Sequence, residues 1–132
     1  MDLSTLSGCR VLVVEDEEFI AADIVIELEQ WGAEVIGPAD SLPVALDLIA
    51  TTQPDVATID LVLRGALAFP VAEALQARDV PFVFSTGLDR DVIPEEYQDV
   101  PCWEKPGGVT ELMIMLGEQV AKRTAPEGAK VP

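Results

Sequence analysis

Side chains suited to phosphoryl chemistry recur where short apolar runs of this sequence end. Glu15 and Asp16 directly follow the run RVLVV, and Asp60 follows DVATI. Thr86 comes after PFVFS, and Lys105 comes after VPCWE. Carboxylate oxygens without nitrogen or sulfur ligands suit a hard cation such as Mg²⁺. A carboxylate can also accept a phosphoryl group, whose charge an ammonium, a hydroxyl and a metal ion would neutralise.

These residues need a scaffold that brings distant strand ends together. Apolar and β-branched runs predict strands at 10–14, 33–37, 55–59, 81–85 and 100–104. Helical spacing predicts helices from about 19 to 31, from Ser41 as N-cap to about 50, over 69–78 and from about 109 to Lys122, with a short or distorted helix in 88–99. The alternation predicts an α/β fold, a doubly wound five-stranded parallel sheet with helices on both faces (flavodoxin-like). The carboxyl ends of its strands then share one edge, where ligands bind.

Composition excludes several classes of function. The chain has 132 residues, a net charge of −16, no histidine and two cysteines, Cys9 and Cys102. The acidic balance argues against binding to nucleic acid or to anionic lipid. The absence of histidine removes Ser-His-Asp catalysis and histidine-ligated zinc, and two cysteines cannot build a disulfide framework. A soluble protein in the reduced cytoplasm is the expectation.

One domain accounts for nearly the whole chain. The expected division is an N-terminal extension over 1–7, a domain over 8–122 and a flexible C-terminal tail over 123–132. The tail is too short for an appended output domain, which favours a stand-alone protein.

Each candidate residue also has an ordinary structural interpretation. Acidic residues favour a helix N-terminus, and Asp60 or the Thr86-Gly87 pair could serve a turn. The joint occurrence of all of them, each at the end of a predicted strand, favours a functional site over separate local roles.

The sequence resembles the CheY-like receiver domains of two-component response regulators over residues 8–122. The resemblance is carried by VLVVEDEE, by DVATID with Asp60, by FVFSTG with Thr86 and by EKP with Lys105; Gly65 also fits the family's loop. PFVFSTGL further resembles the signature of the FAT GUY receivers, although Ser85 stands where that signature has alanine. FAT GUY receivers are often stand-alone and paired with histidine kinases of the HWE or HisKA2 type.

The resemblance implies a metal site and a phosphoacceptor. Asp60 would take the phosphoryl group from a kinase phosphohistidine. Asp16, Asp60 and the backbone carbonyl of Val62 would bind Mg²⁺ directly. Glu15 would act on the metal directly or through water.

The resemblance also implies a phosphoryl-binding switch, and here the sequence departs from the family. Thr86 and Gly87 would respond to the phosphoryl group, and Lys105 would pair with one of its oxygens. Receivers commonly carry an aromatic residue three positions before this lysine, whereas here Cys102 holds that position and Trp103 follows it. The usual switch coupled to that aromatic residue is therefore not expected.

Two apolar pairs are candidate partner surfaces. Phe19 and Ile20 lie where receivers typically dock on a kinase, and Ile114 and Met115 exceed what one core-facing stripe of the last helix requires. The implied partners are a histidine kinase or phosphotransfer protein and a downstream protein, with the chain itself a monomer or a weak homodimer.

The function expected from the sequence is that of a phosphorylatable receiver acting by protein contact, and not an enzyme beyond its own phosphotransfer and autodephosphorylation. A phosphate sink that competes for the kinase and a degenerate receiver that is never phosphorylated are the alternatives. A haloacid-dehalogenase-like phosphatase would need a second acid where Val62 stands.

Overall fold

The computed structural model of the protein describes residues 4–87, 90–105 and 107–130. Its β-strands are β1 (Arg10–Val14), β2 (Glu34–Ala39), β3 (Val56–Asp60), β4 (Val62–Leu63), β5 (Ala66–Leu67), β6 (Phe82–Thr86) and β7 (Cys102–Glu104). Its α-helices are α1 (Glu18–Gln30), α2 (Leu42–Thr51), α3 (Phe69–Gln76) and α4 (Val109–Lys130). Short 3₁₀ turns lie at Ser4–Leu6, Arg90–Val92 and Glu95–Tyr97.

The main sheet has the predicted parallel architecture. Its five strands lie in the order β2-β1-β3-β6-β7, and every neighbouring pair is parallel. The flavodoxin-like fold class is thereby confirmed. Because the strands are parallel, the ends of β1, β3, β6 and β7 that carry the candidate residues lie at the same edge.

Strand alternation divides the core into two layers. Leu12 and Val14 of β1 pack in the cluster formed with α2 and α3, whereas Val11 and Val13 pack in the cluster formed with α1 and α4. All of these β1 side chains are essentially inaccessible to solvent. Successive side chains of a strand point to opposite faces, and burial on both faces is why β1 is apolar from Val11 to Val14.

The interval predicted as a short or distorted helix contains two 3₁₀ turns in its described part, Arg90–Val92 and Glu95–Tyr97. Tyr97 is buried, and its ring stacks on Phe69 with ring centres 5.5 Å apart. Leu88 and Asp89, at the start of the predicted interval, lie outside the described residues.

The last helix is longer than the sequence predicts. The pattern places its end near Lys122 and a flexible tail over 123–132, whereas α4 continues to Lys130. Alanine, lysine and arginine have high helix propensity, and an internal proline removes one backbone hydrogen bond without always ending a helix. Residues 131–132 lie outside the described ranges. No helix within those ranges, α4 included, has the length and apolar character needed to cross a membrane.

The folded unit also begins earlier than the predicted boundary at residue 8. Leu6, in the Ser4–Leu6 turn, is fully buried in the cluster that α1 and α4 form with the sheet. The backbone N–H of Gly8 donates to the carbonyl of Gly32 at 2.8 Å, which joins this segment to the end of α1. A single leucine in a polar stretch carries no periodic signal, so the sequence pattern missed it.

Thr58 in the middle of β3 provides a test of core packing. Its hydroxyl is buried and has no hydrogen-bond partner among the described residues. An unsatisfied buried hydroxyl costs about 1–3 kcal/mol. Thr58→Val should therefore stabilise the protein by about 1 kcal/mol and raise its melting temperature, as measured by calorimetry. Thr58→Ser, which keeps the hydroxyl and loses the methyl group, should lower it; a destabilised valine variant would contradict this description of the core.

Candidate functional site

An open cleft lies at the carboxyl edge of the sheet. Its volume is about 590 Å³, and it is lined by Asp16, Glu17, Ile20, Asp60, Val62, Thr86, Gly87 and Lys105. The strands deliver these residues because β1, β3 and β6 end at this edge, while Lys105 directly follows β7. The structure thus brings together residues that are up to 90 positions apart in the sequence, as the separation of Glu15 and Lys105 shows.

Three carboxylates meet beside this cleft. Glu15, Asp16 and Asp60 each offer an oxygen within 4.8 Å of the others. Glu15 and Asp60 are buried, and Asp16 is partly exposed. An all-oxygen donor set of this size and charge fits Mg²⁺, which binds through few carboxylates and keeps several waters.

Lys105 bridges two of the carboxylates. Its Nζ lies 2.8 Å from Oε1 of Glu15 and 3.1 Å from Oδ2 of Asp60. Burial lowers the pKa of Lys105, but hydrogen bonds and charge attraction from Glu15 and Asp60 outweigh burial and leave the pKa above its ordinary value. The lysine is therefore a permanent cation that lies against the carboxylate of Asp60.

Asp60 has the most perturbed environment in the cleft. Burial raises its pKa, and the neighbouring Glu15 carboxylate raises it further. The backbone N–H of Val62, 3.1 Å from Oδ1, and the Lys105 ammonium act in the opposite direction, and the resulting pKa is about 7. The ionised form of Asp60 is unfavourable in this environment, and a cation that binds beside it stabilises that form.

A hairpin that the sequence did not predict lies beside the site. Strands β4 and β5 pair antiparallel directly after β3, and the backbone N–H of Arg64 in their turn donates to Oδ2 of Asp16 at 2.8 Å. Strands of two residues are too short to show alternation, so only Gly65 marked the turn.

The loop after β7 is tighter than its two glycines suggest. The indole N–H of buried Trp103 donates to the carbonyl of Gly108 at 3.0 Å. A Cβ atom at Gly107 would lie 2.7 Å from the carbonyl oxygen of Glu104 and 2.9 Å from the Trp103 indole nitrogen. The glycine therefore permits close packing that holds the chain on both sides of Lys105.

Thr86 and Gly87 lie where the sequence places them. Thr86 is the last residue of β6 and is buried, and its carbonyl accepts from the backbone N–H of Lys105 at 2.9 Å. This bond ties the end of β6 to the residue that contacts Asp60. Cys102, at the position where receivers often have an aromatic residue, is partly buried and packs against the α2 and α3 side of the core.

The candidate partner residues divide into two groups. Phe19 is 87% exposed beside the cleft, and Ile20 is partly buried and lines it. Ile114 and Met115 are instead partly buried and pack against the core. They belong to a wide stripe that α4 packs on α1, on the sheet and on the N-terminal turn, and their role in a partner contact stays a prediction.

Comparison with known proteins identifies relatives of this chain. No protein-family model matches the chain. A protein-glutamate methylesterase/protein-glutamine glutaminase of Halobacterium salinarum is 32% identical over 120 residues, which cover 85% of this chain and 35% of that protein. The chain therefore spans about a third of this curated relative, and the activity in that name belongs to the relative.

Two solved structures match over nearly their full length. SdrG from Sphingomonas melonis Fr1 is 35% identical with a TM-score of 0.75, and the match covers 91% of this chain and 99% of SdrG. The non-phosphorylated receiver domain of HemR from Leptospira biflexa is 25% identical with a TM-score of 0.74, over 86% of this chain and 95% of that domain. The chain belongs to the response regulator receiver family. As a receiver, it has its acidic cluster and its lysine at the carboxyl edge of the sheet.

The raised pKa of Asp60 predicts how receiver stability depends on pH. In the unfolded chain Asp60 loses its proton near pH 3.8, whereas in the folded, metal-free protein it does so near 7. The unfolded state therefore binds fewer protons between these values, and the contribution of Asp60 to stability falls as the pH rises from about 4 to about 7. Asp60→Asn should therefore raise the free energy of unfolding at about pH 8, by on the order of 1–2 kcal/mol because the cleft is open to solvent and screens part of the effect.

Urea unfolding in EDTA at several pH values measures this effect. The gain from Asp60→Asn should shrink toward pH 5, where Asp60 is protonated in the folded protein. Glu18→Gln, which removes a charge from an exposed residue of the same edge, is the matched control and should show a much smaller gain. If Asp60→Asn were less stable than wild type at about pH 8, the conclusion that folding raises the pKa of Asp60 would be contradicted.

Proposed function

We propose that this receiver accepts a phosphoryl group on Asp60 from the phosphohistidine of a histidine kinase or phosphotransfer protein, in a Mg²⁺-dependent reaction, and signals by protein contact. The observation that carries this proposal is the contact of Lys105 with Asp60 inside a cleft that also holds Asp16 and Thr86. These groups are what phosphoryl transfer needs, since it depends mainly on positioning and charge neutralisation.

The metal ligands proposed are Asp16, Asp60 and the backbone carbonyl of Val62, with Glu15 acting directly or through water. The close approach of the three carboxylates supports this set. When bound, Mg²⁺ would neutralise charge on the transferring phosphoryl group. The N–H groups of Val62 and Arg64, which donate to Asp60 and Asp16, would orient these two carboxylates.

In the transfer step, a carboxylate oxygen of Asp60 attacks phosphorus as the bond between phosphorus and the histidine nitrogen breaks, and the imidazole leaves with its electron pair. The ammonium of Lys105 moves its hydrogen bond from Asp60 to a phosphoryl oxygen. The Thr86 hydroxyl and the backbone at Gly87, which line the same cleft, contact the remaining oxygens. Because the Lys105 side chain is almost buried, its charge acts with little screening by water.

Phe19 and Ile20 are the proposed docking residues for the donor protein. They stand at the start of α1 beside the cleft, and Phe19 is almost fully exposed. A large exposed aromatic next to the reacting group suits burial in a partner interface. The FAT GUY assignment and a kinase of the HWE or HisKA2 type belong to the same proposal and rest on the sequence resemblance. A location in the cytoplasm is also proposed and rests on composition.

Intact-mass measurement after incubation with acetyl phosphate tests the proposal. Wild-type protein with Mg²⁺ should gain one phosphoryl group, and EDTA should abolish the gain. Asp60→Asn should gain none, and Lys105→Ala should react at least tenfold more slowly because it lacks the neutralising cation. Asp23→Asn, on the exposed face of α1, should react like wild type.

If wild type neither gains mass nor binds beryllium fluoride, the proposal is overturned and the degenerate receiver is favoured. The decay of the modified form separates the remaining alternatives. Loss within seconds indicates a phosphate sink, whereas persistence for hours indicates a signal carrier.

A further inference from the structure

The turn between β4 and β5 contains an unusual backbone conformation. Arg64 has φ +48° and Gly65 has φ +82°. Two successive residues with positive φ match the tight turns of hairpins, where asparagine, aspartate and glycine are preferred. An arginine at the first position is strained by its Cβ atom, and such strain persists where surrounding contacts hold it.

The Arg64 side chain supplies such contacts. Its Nη2 donates to Oδ2 of Asp40 at 2.6 Å, and its Nε donates to the backbone carbonyl of Asp40 at 3.1 Å. Asp40 directly follows β2, so the pair joins the hairpin to the edge strand of the main sheet. The hydrogen bond and the charge of Arg64 hold the pKa of Asp40 below its usual value. We call this pair the Arg64–Asp40 clamp.

The backbone of the same residue faces the carboxylate cluster. The N–H of Arg64 donates to Oδ2 of Asp16 at 2.8 Å, which occupies one oxygen of that carboxylate and orients the other. Asp16 is the most exposed member of the cluster, and Lys105 makes its ion pairs with Glu15, Glu17 and Asp60. The hairpin turn is therefore the described contact that fixes Asp16.

We propose that Arg64 is a positioning residue for Mg²⁺: the Arg64–Asp40 clamp holds the hairpin turn so that its backbone N–H orients Asp16 toward the metal. This inference rests on the proposed function, since it assumes that Asp16 is a metal ligand. Residues behind the ligands of a metal site commonly set its affinity by fixing ligand orientation.

The positive charge of Arg64 allows an experiment to distinguish a positioning role from a purely electrostatic one. A guanidinium near a cation site repels the cation, so Coulomb's law alone predicts tighter Mg²⁺ binding when Arg64 is replaced by alanine. A positioning role instead predicts weaker Mg²⁺ binding by this variant, because loss of the clamp releases the turn and the N–H that orients Asp16. Replacement of Asp40 weakens binding under both explanations and does not discriminate alone.

The test is the Kd of Mg²⁺ alone, measured on the full chain by titration of intrinsic fluorescence or of the melting temperature. Arg64→Ala and Asp40→Ala should each raise the Kd about three- to tenfold. This is less than the usual effect of replacing a residue that orients a metal ligand, because the clamp is exposed to solvent. The Kd of the double variant should not exceed the higher of the two single-variant values, because both substitutions remove the same contact. Arg64→Lys, which cannot reach two acceptors with a planar fork, should fall between wild type and alanine.

Three controls complete the experiment. Arg78→Ala removes a cation that donates to carbonyls at the end of α2, and it should leave the Kd unchanged. Asp16→Ala should abolish most of the Mg²⁺ response. Arg64→Gly keeps the N–H and relieves the backbone strain, so it provides a folded variant without the clamp. It should bind Mg²⁺ more weakly than wild type but no more weakly than Arg64→Ala.

Equal or tighter Mg²⁺ binding by Arg64→Ala or Arg64→Gly would overturn the positioning role and leave the proposed function intact. Additive losses in the double variant would also overturn it. Absence of any Mg²⁺ response in wild type would overturn the proposed metal site and the clamp together, a result that the phosphorylation experiment detects independently.

Discussion

Burial and mutual repulsion within a cluster of carboxylates are the constraint on which the rest of this receiver depends. Glu15, Asp16 and Asp60 converge within 4.8 Å at one edge of the sheet. The ammonium of Lys105, which contacts Glu15 and Asp60, offsets part of their charge, and the cluster remains net negative when fully ionised. The raised pKa of Asp60 reflects this unrelieved burial and repulsion. A divalent cation and then a phosphoryl group are ligands that such a site can take up in succession.

The fold supports this cluster mainly with backbone groups and with side chains that packing holds in place. The parallel order of the central strands places β1 beside β3, and so places the acidic pair beside Asp60. Backbone N–H groups of the β4–β5 hairpin donate to Asp60 and Asp16. Close packing of Gly107 on Trp103 fixes the chain beside Lys105. Groups that are already oriented need little rearrangement when charge develops on a bound phosphoryl group.

The sequence predicted the site better than its surroundings, for identifiable physical reasons. The convergence of Asp60 and Lys105 follows from strand and helix alternation, since parallel strands share their carboxyl edge. The Arg64–Asp40 contact joins residues that are 24 positions apart in the sequence. Arg64 lies in a turn between strands of two residues each, which are too short for a periodic pattern to predict the contact. The N-terminal turn likewise lies outside any repeating pattern, and its Leu6 belongs to the cluster against which Ile114 and Met115 pack.

Proton release on Mg²⁺ binding tests the central claim most directly, because the metal needs the ionised form of a carboxylate that the metal-free protein keeps protonated below about pH 7. Titration calorimetry in buffers of different ionisation enthalpy counts the protons released. Nearly one proton should be released per Mg²⁺ at about pH 6, falling toward zero at about pH 8.5, and Asp60→Asn should release far less at the lower pH. Mg²⁺ binding without a pH-dependent proton release would contradict the claim that repulsion and burial keep Asp60 poised for a cation.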